Sequence, residues 1–308
     1  MSFKRKYLSA DGLHKTVKHC LLREQFKVMN SEYTWQDCIM SGLAVFGFKF
    51  PSLLQFEKDK AAEPWIRRNL RTLYGVEKAP SDTCMRERLD LISPQQLRRP
   101  FKKIFSYLQR GKALESYRYL NGHYIVSLDG TGQFSSEKVH CECCCEKHHR
   151  SGRLEYYHQM LGAVLVHPER REVIPLAPEP IVKGDGTSKN DCEVMRAGRA
   201  RWKIENETFN TLKNQGYNFE HNYGHGYKNL CSVMTMLMML AFLIDQVQQL
   251  CCKVYQQARK HVGTLRRLFE KIQNRIDIAA WNSWHHLLTF IGDPASRPPP
   301  IGSGYIIA

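Results

Sequence analysis

Residues 123–132 read HYIVSLDGTG, a run of β-branched and apolar side chains that ends in Asp129-Gly130. The segments before it carry helical spacing, and the change of period at about residue 121 decides the fold class. A second apolar run follows at 156–167, YYHQMLGAVLVH, and a third at 172–182, EVIPLAPEPIV. The polar stretch HPERRE (167–172) between them reads as a turn, so these two runs form a hairpin. TSKNDCEVMRAGRA (187–200) returns to a helical pattern with Ser188 or Asn190 near its cap, and a helix is expected from Trp202 to about Lys213. The chain is therefore expected to be α/β. A helical region spans 1–120, a sheet-bearing region 121–290, and a flexible tail 291–308. That tail ends in PASRPPPIGSGYIIA, too rich in Pro and Gly to pack regularly.

Upstream, TWQDCIMSGLAVFGF (34–48) offers Thr34 as an N-cap, and PWIRRNLRTLYG (64–75) starts on Pro64 and stops at Gly75. Ser81 or Asp82 caps the next helix, and the short helix pair around this turn resembles, weakly, a helix-turn-helix. After Pro100, Phe101, Ile104, Phe105 and Leu108 share one face of a helix. Residues 1–30 are basic and weakly patterned, an arm or a loose helix. CSVMTMLMMLAFLI (231–244) is apolar but shorter than the roughly 20 residues of a membrane span, so it reads as a buried helix.

The 308 residues carry 45 Lys and Arg against 30 Asp and Glu, a net charge of +15. Residues 1–120 alone hold 23 basic and 12 acidic side chains. That surplus favours an anionic partner, nucleic acid before others, because Lys and Arg neutralise phosphate without regard to sequence. Lys102, Lys103, Arg86 and Arg88 are candidate DNA contacts. NYGHGYKNL (222–230) mixes His225, Tyr223 and Lys228 and reads equally as a backbone contact or a Gly-rich connector. The eleven cysteines are odd in number and crowded, and no signal peptide opens the chain, so reduced thiols in a cytosol are expected.

VHCECCCEKHHRSG (139–152) concentrates six soft ligands: Cys141, Cys143, Cys144, Cys145, His148 and His149. Thiolate and imidazole suit a structural Zn²⁺, but such a site usually draws on two separated segments. The other half would come from His140, His158 or a segment no longer present. Reduced cysteines in a connecting loop are the competing reading.

Two further positions carry chemistry. Asp129 is expected to project from the end of its strand, although an Asp-Gly turn looks the same. In RARWKIENETFNTLK (199–213), Arg201 and Glu205 share a helix face, which is also what a surface ion pair requires. A sheet Asp facing a helix Glu is the arrangement a two-metal site needs.

Taken together, SLDGTGQFSS (127–136), 156–181, KNDCE (189–193) and 201–226 resemble the DDE transposases of bacterial insertion sequences, and the residues before 120 also resemble that family's helical N-terminal region. The resemblance implies a ribonuclease-H-like core, a mixed sheet with flanking helices, and three metal-binding carboxylates. Asp129 matches the first and Glu205 the third; Glu207 is its rival, but the preceding RWKI favours Glu205. Arg201 matches the Arg preceding that Glu, and Lys213 its following Lys, one residue later than usual. The position of the family's Tyr falls on Gly198. The second carboxylate has no match: Asp185 lies in a GDGTS loop, Asp191 starts a helix, and the nine residues between Asp191 and Arg201 contain Glu193 and no strand. The core is therefore read as incomplete, with a junction near 194–200. What the resemblance implies is metal-dependent phosphodiester hydrolysis and strand transfer, impaired in this chain. Mg²⁺ or Mn²⁺ would be the cofactor, double-stranded DNA the partner, a homodimer the working unit, and the bacterial nucleoid the place, with no membrane. The alternative is a non-catalytic DNA-binding remnant or repressor.

Overall fold

The computed structural model describes residues 6–24, 26, 32–181, 204–219, 223–293 and 295–296; the side chains of Glu205 and Asn206 also fall outside the description. Helices come first. They are α1 (Ala10–Leu21), α2 (Trp35–Gly47), α3 (Leu53–Ala62), α4 (Pro64–Asn69) running into a π-helical turn at Leu70–Tyr74, α5 (Asp82–Asp90) and α6 (Arg98–Arg110). The caps follow the sequence. Thr34 accepts the Asp37 N–H at 3.0 Å, Ser81 that of Cys84 at 3.3 Å, and Gly75 closes the π turn at φ 68°. On α6, Phe101, Ile104 and Leu108 are buried, while Phe105 is only half-buried.

Of the two readings of the first 30 residues, the helix holds for residues 10–21, and it is packed rather than loose. α1 is capped by Ser9 and buries Leu13, Val17 and Leu21, each worth about 1.5–3 kcal/mol of apolar burial. Asp11 then accepts the N–H groups of Trp284 and His285, tying α1 to a helix near the other end of the chain.

The strands are β1 (Arg118–Tyr119), β2 (His123–Ser136), β3 (Cys145–His148), β4 (Leu154–Val166), β5 (Ile174–Pro175) and β6 (Glu179–Ile181). The order is β1-β2-β4-β3, with β5 and β6 also paired to β4. Two expectations are corrected here. The sheet was expected to be mixed, but among the described residues every strand pairing is antiparallel. Asp129 was expected at a strand end, but β2 runs on to Ser136, and Asp129 sits mid-strand opposite Gly162. The thirteen-residue β4 offers a partner for the whole of this run, so Gly130 and Gly132 stay in the ladder instead of turning. The run at 172–182 divides in two, because Pro175, Pro178 and Pro180 supply no N–H to a ladder.

After the sheet come a π-helical segment (Ile204–Phe209), α7 (Asn210–Asn214), α8 (Leu230–Cys251), α9 (Lys253–Val262), α10 (Leu265–Ile276) and α11 (Trp284–Gly292). α8 extends well beyond the apolar run that announces it. It is long and apolar enough to cross a membrane, yet 94% of its most apolar window is buried inside the protein, as befits a helix apolar on every side. It packs on α1, α2, α5 and α6 and also on β2, β4 and β5, so helices and sheet share one apolar core. The Lys49 ammonium meets Asp245 of α8 at 2.6 Å inside that core, and the Tyr217 hydroxyl donates to the same carboxylate oxygen.

Candidate metal centre

Four side chains from three parts of the chain converge: Cys141, Cys144, His158 and His225, with one ligand atom from each within 4.8 Å of the others. The two cysteines sit in the turn between β2 and β3. The Cys144 N–H donates to the Cys141 carbonyl at 3.1 Å, and the Cys141 N–H points at the Cys144 sulfur at 3.4 Å. This folds both Sγ atoms to one side, 3.8 Å apart.

His158 stands on β4 opposite Phe134, where a bulge interrupts β2 between Gly132 and Phe134. Its Nε2 lies 3.4 Å from each of the two sulfurs.

His225 comes from the loop before α8. Its Nδ1 donates to the Gly226 carbonyl at 2.9 Å, since a carbonyl only accepts; in the neutral ring that leaves the Nε2 lone pair for a ligand. Nε2 lies 3.2 Å from Cys144 Sγ and 3.2 Å from His158 Nε2. The loop is fixed by Asp90 at the end of α5, whose buried carboxylate accepts the N–H groups of Tyr227, Lys228, Asn229 and Leu230. Gly226 makes this approach possible. Its φ is 66°, and a Cβ there would stand 2.3 Å from an Asp90 oxygen.

Burial, then the neighbouring His225, pushes His158 down to about 4, so its imidazole is neutral at ordinary pH, the state a ligand needs. Burial pushes the Cys141 thiol up to about 11, so a cation would have to drive off its proton. The group can hold a metal ion.

Of the six ligands expected from 139–152, only Cys141 and Cys144 are here. Cys145 Sγ points to the Ile181 carbonyl at 3.7 Å, His149 pairs with Glu155 at 2.7 Å, and His148 is exposed on β3. Cys143 is half-buried beside the group without joining it. His158 was one of the proposed donors of the second half. His225 was read as a backbone contact or connector. The usable signal was the Cys-x2-Cys spacing of 141 and 144, since two cysteines three apart share one turn.

Asp129 lies farther along the same sheet. Asp129 is half-buried, and its Oδ1 accepts the Gly130 N–H at 2.9 Å. Side chains directly opposite in an antiparallel pair leave the same face, so Asp129 shares a face with position 162. There the missing Cβ of Gly162 admits the Phe209 ring, which would lie 3.1 Å from such an atom. Phe209 ends the π-helical segment that contains Glu205 and touches β2. The sequence therefore places Glu205 on the segment that covers the Asp129 face. Arg201, Asp185, Asp191, Glu193 and the junction 194–200 lie outside the described residues. Lys213 is exposed on α7.

Among the candidate DNA contacts, Lys102 is exposed and Lys103 leans over the Tyr107 ring at 5.1 Å. Arg86 is held by Asp82, with Nε at 2.8 Å from its carboxylate, and Arg88 is half-buried. Comparison with known proteins adds no relative: no family model, no curated protein and no solved structure matches this chain.

Proposed function

We propose that the chain is a DNA-binding protein with a shortened transposase-type core, able to hold duplex DNA but impaired in cutting and joining it. The supporting observation is the packing of Phe209 against Gly162, which lays the Glu205 segment over the face that carries Asp129. The basic surplus, +15 overall, supplies the phosphate affinity. The cofactors of this reading are Mg²⁺ or Mn²⁺ at Asp129 and Glu205 and a structural Zn²⁺ at the Cys/His centre. Two carboxylates lack the bridging ligand that holds two hard cations about 3.5–4 Å apart, which is the reason for impairment.

The partner is double-stranded DNA, bound by a homodimer that brings two ends together. A gel-shift series with short duplexes at rising salt, run beside a nicking assay in Mg²⁺ and in Mn²⁺, tests the reading. Binding that weakens steeply with salt, without nicking, is expected, and it favours the non-catalytic alternative over an active enzyme. Failure to bind duplex DNA at low salt overturns the reading. Robust nicking retires the claim of impairment.

A further inference from the structure

The Cys/His centre has the dimensions of a particular ion. Zn–S bonds of about 2.3 Å and Zn–N bonds of about 2.0–2.1 Å in a tetrahedron give edges of about 3.8 Å for S–S, about 3.5 Å for S–N and about 3.3 Å for N–N. The structure has 3.8 Å for Cys141–Cys144, 3.4 Å for each cysteine to His158, 3.2 Å for Cys144–His225 and 3.2 Å for the two imidazoles. Hydrogen bonding alone accounts poorly for this convergence. His225 Nε2 stands 3.2 Å from both Cys144 Sγ and His158 Nε2, and in the neutral ring it can accept a proton from only one of them. Five of the six edges thus match a zinc tetrahedron, and two cysteine sulfurs with two imidazoles suit zinc better than hard cations such as Mg²⁺ and Ca²⁺.

The position of the four ligands assigns the ion a task. The β2–β3 turn and β4 belong to the sheet. The His225 loop belongs to the helical framework, because Asp90 of α5 holds it and α8 starts from it. The same loop ends the segment that begins with Glu205. Phe209 meets β4 at Gly162, and His225 meets it at His158, four residues along the same strand and on the same buried face.

We infer that Zn²⁺ bound by Cys141, Cys144, His158 and His225 is a latch that fastens the His225 loop, and through it the helical framework, onto the distal half of the sheet. The inference rests on reading the Cys/His centre as a zinc site, and adds what the zinc does. Without the ion, the outer parts of β2, β3 and β4 lose their tie to Asp90 and α8. Lys138 in the β2–β3 turn, Lys147 on the edge strand β3 and Arg150 in the β3–β4 turn are all exposed there.

The full chain, purified with reductant and without chelator, is measured for zinc by mass spectrometry and loaded with Co²⁺ for absorption. Wild type is expected to hold about one zinc per chain and, with cobalt, to show tetrahedral d–d bands and thiolate charge transfer. Cys144→Ser and His225→Ala are expected to lose the bands, whereas Cys145→Ser and His148→Ala keep them. Limited trypsin then reads the latch. Chelation is expected to speed cleavage at Lys138, Lys147 and Arg150 by about tenfold or more, with zinc restoring protection. The Cys145→Ser protein, treated in the same way, guards against general unfolding. A wild type without zinc or a cobalt thiolate signature overturns both the zinc reading and the latch. Zinc held by the four ligands with no change in cleavage on its removal overturns the latch alone.

Discussion

Asp90 shows how much one side chain can organise. It lies buried at the end of α5 and receives four successive N–H groups from the approach to α8, which would otherwise be left without acceptors at a helix start. Asp90→Ala is expected to destabilise the protein by about 2–3 kcal/mol, and Asp90→Asn by less, because the amide oxygen still accepts. Urea unfolding monitored by circular dichroism measures both; an alanine variant within about 0.5 kcal/mol of wild type contradicts this role. His14 makes a second residue-scale case. Its Nδ1 donates to the Ala10 carbonyl at 2.8 Å, and its ring stacks on Trp284 at 4.9 Å. Burial lowers its pKa below 6.5, against smaller raising effects from the Ala10 carbonyl and Asp11. The unfolded chain therefore takes up the proton first. The stability His14 confers is complete above about pH 6.5 and is lost as pH falls toward the lower folded value. His14→Phe is expected to flatten this part of the pH profile, read as the urea midpoint at pH 7.5 and at pH 5. An unchanged profile sinks the assignment.

Among the elements, the helices follow most closely from sequence because their ends are chemically marked. Thr34, Ser81, Pro64 and Gly75 each satisfy or remove a terminal backbone group, and each stands where the structure uses it. α1 escaped because its short apolar set, Leu13, Val17 and Leu21, gains meaning only against partners distant in sequence, such as the helix Asp11 caps. β2 misled for a related reason. Asp129-Gly130 is a turn signal when the chain is considered alone, but a long partner strand overrides it. The antiparallel pairing throughout the described sheet also departs from the mixed sheet that the resemblance implied. Gly162 is where two elements fit by the absence of a side chain. Gly162→Val is expected to push Phe209 and the Glu205 segment off β4 and to cost about 1–3 kcal/mol. Gly162→Ala should cost less, the ring yielding by a few tenths of an ångström. Thermal unfolding of the two variants checks this, and a valine variant as stable as wild type contradicts the packing.

At the scale of the whole molecule, α8 joins what the sequence divides. Helices from the first 120 residues and strands after them pack on the same apolar rod. The candidate centre extends that union to polar chemistry. Half of it was legible, since Cys141 and Cys144 lie in a cysteine-rich run. Of the other half, His158 stands among the sequence candidates and His225 does not, because 67 residues separate the two and no spacing marks the pair; only strand pairing and the Asp90-held loop bring them together. The DNA reading rests on the Phe209–Gly162 packing that brings the Glu205 segment to β4. The metal centre depends on four side chains all in view. Zinc K-edge X-ray absorption on the purified protein addresses it most directly. The expected spectrum fits two sulfur neighbours at about 2.3 Å and two nitrogen neighbours at about 2.0–2.1 Å. A shell of four sulfurs, drawn from Cys143 or Cys145, or a shell with no sulfur at all, would contradict it.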